Sequence, residues 1–128
     1  MVPRILVSPE AATLIVELKK QFGALIFHQS GGCCDGSSPM CLEEGDLMIN
    51  ETDVWLGKIE GCDFYMSKDQ FEYWQHTQIE VKVVEGRGSS FSLEIPTGKR
   101  FIIASRLFNE EELQNLSPIH FGEVEGGQ

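Results

Sequence analysis

The chain has 128 residues, 41% of them hydrophobic and eight of them Phe, which is one domain's length and enough apolar material for one core. Its 20 Asp and Glu against 10 Lys and Arg give a formal net charge of -10, which argues against nucleic acid or anionic membrane as a partner, because both demand a basic patch. No apolar run approaches the roughly 18 residues of a membrane span, and Met-Val-Pro-Arg-Ile-Leu-Val is too short in apolar residues for a signal peptide, so the expected location is the cytoplasm.

Ser8-Pro9-Glu10 predicts a helix start, with Ser as cap, Pro at the first helical position and Glu at the positive end of the dipole. Ala11, Leu14, Ile15, Leu18 and Phe22 follow at helical spacing, and Gly23 supplies a left-handed stop. Ala24 to Gln29 is a short apolar run that suits a buried strand. It feeds Ser30-Gly31-Gly32-Cys33-Cys34-Asp35-Gly36-Ser37-Ser38-Pro39, whose Gly, Ser and Pro content predicts a loop reaching to Cys41. Glu43 to Asp46 forms a polar turn. Leu47 to Ile49, Val54 to Ile59 and Cys62 to Met66 are strand candidates. Ser67-Lys68-Asp69-Gln70 has the capping-box pattern and predicts a short helix over Lys68 to Gln75.

Thr77 to Val84 alternates, with Ile79, Val81 and Val83 on the core face and Gln78, Glu80 and Lys82 opposite. Phe91 to Ile95, a Pro96-Thr97-Gly98 turn and Phe101 to Phe108 are read as a hairpin. Asn109 is placed as the cap of a last helix over Glu110 to Leu116. There is no internal repeat and no linker. Helix, strands, short helix and strands in that order make an α+β pattern rather than alternating βαβ units.

In a reducing cytosol, clustered cysteines more often bind metal or do redox chemistry than pair as disulfides. Cys33, Cys34 and Cys41 fall within nine positions, with Cys62 beyond. Thiolates suit soft and borderline ions, but the spacing is not that of a zinc finger. On extended backbone Cys33 and Cys34 point opposite ways, so they can share an ion only in a bent loop, which the flanking glycines permit. His28, just ahead of the loop, can be a fourth ligand or a packed, hydrogen-bonded histidine. His76 closes the second helix, where a protonated imidazole favours the dipole, and Glu72 stands four residues before it. Asp35 can be a ligand, a base or a turn residue. Gly86-Arg87-Gly88 reads as a hairpin turn, since no helix follows it to make a phosphate loop. There is no nucleophile-elbow or catalytic-triad signature, and no dinucleotide fingerprint.

The run Phe27-His28-Gln29-Ser30-Gly31-Gly32-Cys33-Cys34-Asp35-Gly36-Ser37-Ser38-Pro39-Met40, with Phe71 to Gln78 and Gly86 to Glu94, resembles an uncharacterised family of short bacterial and fungal proteins that carry only a domain-of-unknown-function label. Its members are often encoded beside aldehyde dehydrogenases, so the resemblance implies an association with aldehyde metabolism and an aldehyde dehydrogenase as partner. More distantly, the order of elements is similar to the A-type iron–sulfur carrier (HesB-like) fold. Ser8 to Gly23, Ala24 to Cys33, Ser67 to Val84 and Gly88 to Pro96 follow that order. The carriers hold their cluster with the first cysteine, here Cys33, and a C-terminal Cys-Gly-Cys. This chain has no cysteine after Cys62, so the resemblance extends to the fold and not to the cluster.

The expected architecture is an α+β, β-rich single domain over residues 1–122, with the N-terminal helix on a mainly antiparallel or mixed sheet, a HesB-like sandwich being one arrangement, and a flexible tail over 123–128. The candidate metal site is Cys33, Cys34, Cys41 and His28, holding zinc or iron, with no catalytic residue assigned. The expected function is a thiol-rich, metal-binding accessory in aldehyde metabolism. Two alternatives stand beside it: a small thiol-dependent enzyme acting on aldehydes or their thiol adducts, and a binding module whose cysteines are structural. A homodimer is expected, because Phe101, Ile102, Ile103, Leu107 and Phe108 give one strand apolar side chains on both faces.

Overall fold

A computed structural model describes residues 2–29, 38–45, 53–86, 92–116 and 119–121. The chain begins with a strand that the sequence reading did not single out, β1 (Ile5–Val7), which leads into helix α1 (Pro9–Phe22). The Ser8 hydroxyl accepts the Ala11 amide at 3.2 Å, and Gly23 closes the helix at φ 88° with its own amide bonded to the Lys19 carbonyl. Ala11, Leu14, Ile15 and Leu18 form the buried stripe of α1, as their spacing requires.

Strand β2 (Leu25–Gln29) follows, then β3 (Met40–Glu43), β4 (Val54–Ile59) and β5 (Cys62–Met66). Glu60 and Gly61 join β4 to β5, and both have positive φ (48° and 78°), as a tight two-residue hairpin demands. Helix α2 (Lys68–Trp74) is capped by the Ser67 hydroxyl through the Gln70 amide, but the return half of the capping box is missing. The Gln70 side-chain oxygen is buried with no partner. Strand β6 (Thr77–Glu85), a 3-10 turn over Ile95–Thr97, strand β7 (Lys99–Leu107), helix α3 (Glu110–Gln114) and strand β8 (His120–Phe121) complete the order. Asn109 and Glu112 make the full reciprocal cap of α3. No helix among the described residues is long and apolar enough to cross a membrane.

Among the described residues the strands form two sheets, β1-β6-β7 and β3-β2-β5-β4-β8, so the protein is a mixed α+β domain. In the smaller sheet β1 runs parallel to β6, and β6 pairs antiparallel with β7 from Thr77↔Leu107 to Glu85↔Lys99. The expected hairpin is thereby corrected: the partner of β7 is β6, and Ser92 to Gly98 is a connection. Ser92 and Glu94 spend their side chains on each other and on the Cys41 and Phe101 amides, Pro96 has no amide to give a ladder, and Gly98 turns left-handed at φ 76°. The loop expected to reach Cys41 ends earlier, since Met40 and Cys41 already belong to β3. Leu47 to Ile49 and the tail over 123–128 lie outside the described residues.

The core lies where the sheets meet. Phe27 of β2 stacks on Phe64 of β5 (6.2 Å between centroids) and meets Phe101 of β7 edge-on at 5.2 Å. Ile79, Val81 and Ile103 are buried beside them, as the alternation of β6 required. Phe101, Ile103 and Phe108 are buried too, leaving only Ile102 and Leu107 of the expected dimer strand outward. Gly57, in the irregular stretch of β4, has no room for a side chain: its φ is 147°, and an added Cβ would stand 2.9 Å from Ile5 Cγ2. Gly57→Ala should therefore cost about 3 kcal/mol, part from backbone strain and part from overpacking. Ile5→Ala removes the clashing methyl, so in urea unfolding the double variant should lose clearly less than the sum of the two singles; strict additivity would show that the clash is not what Gly57 avoids.

Candidate functional site

Strand β2 decides what reaches the site. Successive side chains alternate faces, so Phe27 and His28 go opposite ways. Phe27 enters the core. His28 lies on the other face, in register with Met40 of β3 and Tyr65 of β5, and Tyr65 is in turn opposite Trp55 of β4. Asp53, immediately before β4, places Oδ1 3.1 Å from His28 Nε2. Both side chains are nearly shielded from water, at 11% and 6% exposure. An imidazole held by a carboxylate turns its Nε2–H toward the acceptor, here Asp53, and the contact fixes the ring angle. On the same face the Trp55 indole donates to Asp63 at 2.9 Å.

Cys41 does not join this group. It is opposite Phe27, so it lies on the core face and is fully buried. Burial, the Glu94 carboxyl and Cys62 all push its thiol well above the ordinary range, and a thiol so placed is a small hydrophobe rather than a nucleophile or ligand. Cys62 is buried as well; burial pushes it up, and Lys19 only partly offsets that. Cys41 and Cys62 sit on β3 and β5 with β2 between them, roughly 10 Å apart by strand spacing, beyond the ~7 Å a disulfide spans. Both are free. Cys33, Cys34 and Asp35 lie outside the described residues. Among those described, no group of three His, Cys, Asp or Glu is arranged to hold a metal ion. Glu72 and His76 do not form an ion pair among the described residues, and the His76 carbonyl instead accepts the Phe108 amide at 3.0 Å.

Two acidic residues matter here that the sequence did not single out. Asp53 reads there as a turn residue ahead of a strand, and only the register of β4 brings it to His28. Glu94 falls within the strand expected over Phe91 to Ile95, and it is fully buried. Its Oε1 accepts the Ser92 hydroxyl and its Oε2 the Phe101 amide, while Ser92 Oγ takes the Cys41 amide at 2.8 Å and the Leu93 amide reaches the Cys41 carbonyl at 2.8 Å. This polar knot ties the outer side of β3 to the start of β7.

A family model matches residues 14–107, most of the chain. The chain belongs to the family described as domain of unknown function DUF779. No curated protein matches it. The DUF779 segment runs from the middle of α1 to the last residue of β7, so it includes His28, Cys33, Cys34, Asp53 and the Glu94 knot, and leaves out β1 and α3.

Burial raises the Glu94 acid above its ordinary value of 4.5, against the opposing hydrogen bonds from Ser92 and Phe101. A raised folded value means that the neutral form is favoured more in the native state than in the unfolded chain. Its contribution to stability is complete below the ordinary carboxylate range and is lost as pH climbs through the folded value. Glu94→Gln keeps a neutral group in place, so its thermal melts should vary less than wild type as pH rises above the ordinary carboxylate range. Glu94→Ala strands the Phe101 amide and should cost about 1–3 kcal/mol. Parallel pH profiles for wild type and Glu94→Gln would count against a raised value for Glu94 in the fold.

Proposed function

We propose that this DUF779 protein is a thiol-rich, metal-holding accessory of aldehyde metabolism, with Cys33 and Cys34 as thiolate donors, His28 as the imidazole donor and an aldehyde dehydrogenase as partner. The observation that carries the reading is the Asp53–His28 pair at the end of β2, the strand from which the thiol loop departs. A carboxylate behind a histidine is the usual support of a metal-binding imidazole, and it leaves Nδ1 as the coordinating atom. Thiolate and imidazole together suit zinc or ferrous iron. Cys41 is not counted among the donors, because the alternation of β3 turns it to the core. The aldehyde dehydrogenase link rests on the resemblance of the thiol-loop segment to proteins encoded beside such enzymes.

The same pair supports a second reading, in which His28 is a base. Nδ1 would take the proton of a loop thiol, the thiolate would add to an aldehyde carbonyl, and the imidazolium would return its proton to the new alkoxide. The product is a thiohemiacetal, with no change of oxidation state.

Elemental analysis of protein purified anaerobically and without a histidine tag separates the two. Metal binding predicts about one zinc or iron per chain, lost in Cys33→Ser, Cys34→Ser and His28→Ala, and weakened about 10–100-fold by Asp53→Asn. Cys41→Ser should keep the metal. Wild-type protein that is metal-free and takes up neither zinc nor ferrous iron would overturn the metal reading. The base reading would then predict aldehyde-dependent loss of titratable thiol, slowed by His28→Ala. For the partner, dehydrogenase activity should decay more slowly under aldehyde stress with wild-type protein than with a Cys33→Ser, Cys34→Ser double variant; equal decay, with no association of the two proteins, would exclude the dehydrogenase.

A further inference from the structure

Strand β3 is an edge of the larger sheet, with β2 on one side and no described strand on the other. A bare edge needs something to hold it. Here two bonds do so: the Cys41 amide donates to Ser92 Oγ at 2.8 Å, and the Leu93 amide donates to the Cys41 carbonyl at 2.8 Å. Both belong to the segment that Glu94 anchors, since its carboxyl accepts the Ser92 hydroxyl at one oxygen and the Phe101 amide at the other. That carboxyl is fully buried, and no cation among the described residues pairs with it. Lys99 is exposed, Arg100 lies along Gly86, and the 3-10 turn over Ile95–Thr97 brings no titratable group. From β3 the titratable group that faces Glu94 is the Cys41 thiol, with Glu43 farther along the strand and partly exposed.

We propose that Glu94 is a proton-operated latch on β3: with its proton it holds the Ser92–Glu94 segment against Cys41, and on losing the proton it lets that segment part from the strand. A carboxylate shut away from water with no cation beside it is costly. The hydrogen bonds from Ser92 and Phe101 favour the charged form, but burial opposes it more strongly. Swinging the segment outward hydrates the charge and breaks both bonds to Cys41 in the same local motion. The latch is firmest below the ordinary carboxylate value of 4.5 and loosens as pH climbs toward the raised folded value. Its effect falls where the chain re-enters the sheet at Met40, after Cys33 and Cys34. Neither a bound metal nor a dehydrogenase enters the argument.

Hydrogen exchange followed by NMR, corrected for intrinsic rates, reads the latch at single amides. In wild type, protection of the Cys41 and Leu93 amides should fall as pH rises above 4.5, by at most about tenfold per pH unit, and level off past the folded value of Glu94. The Ile79 amide of β6, bonded to the Arg4 carbonyl at 2.9 Å, should keep its protection over the same range. In Glu94→Gln, protection at Cys41 and Leu93 should be level with pH. Level protection of these two amides in wild type overturns the proposal. So does a fall shared equally by Ile79, which would mean that the whole domain opens, or an equal fall in Glu94→Gln. Should that variant not fold, the wild-type profile and its Ile79 control decide alone.

Discussion

The two-residue period of β2 is the constraint on which the rest depends. One step along the strand separates Phe27, which stacks on Phe64 and meets Phe101 across the sheets, from His28, which is held by Asp53 on the other side. The core and the candidate site therefore share a backbone and cannot shift independently. A one-residue slip would take Phe27 out of its contacts with Phe64 and Phe101 and push an imidazole into a hydrocarbon interior, losing on both faces at once. The neighbours of β2 inherit the division. Cys41 and Phe64 are locked inward by register with Phe27, and Tyr65 lies in register with His28.

The interior is not purely apolar. Glu94, Ser92 and the backbone of Cys41 form a buried polar knot between the edge of the larger sheet and the first strand-forming residues of β7. Apolar contacts alone would hold the sheets together but would allow them to slide. Directional bonds from Glu94 to Phe101 and from Ser92 to Cys41 set one position along the strands.

Much of the fold could be read from residues alone, for physical reasons that differ by element. The α1 helix announces itself through Ser8, Pro9 and a regular apolar stripe, and β6 through strict alternation; both signals are local. Strand β3 was hidden, because Met-Cys-Leu-Glu is short, ends on a charge and follows a loop rich in Ser and Pro. Its strand character comes from pairing with β2. Strand β1 was hidden similarly, since three residues gain their pairing from β6, more than seventy positions away. At the site, His28 was legible as a polar residue in an apolar run beside cysteines. Asp53 was not, because its meaning lies in a register between strands that no local pattern encodes. Proximity in sequence grouped Cys41 with Cys33 and Cys34, and the pleat of β3 separates it from His28.

The two interior thiols have one more consequence. Cys41 and Cys62 are out of contact with water, so an alkylating reagent can reach them only when the sheets part or the chain opens locally. Their labelling rate at fixed reagent concentration is thus a clock for those openings, readable residue by residue in a mass spectrum. Cys41 reports the parting of β3 from the Glu94 knot, whereas Cys62 reports the β4–β5 hairpin where Lys19 reaches the Glu60 carbonyl. The domain carries its own probes of breathing, one on each side of β2.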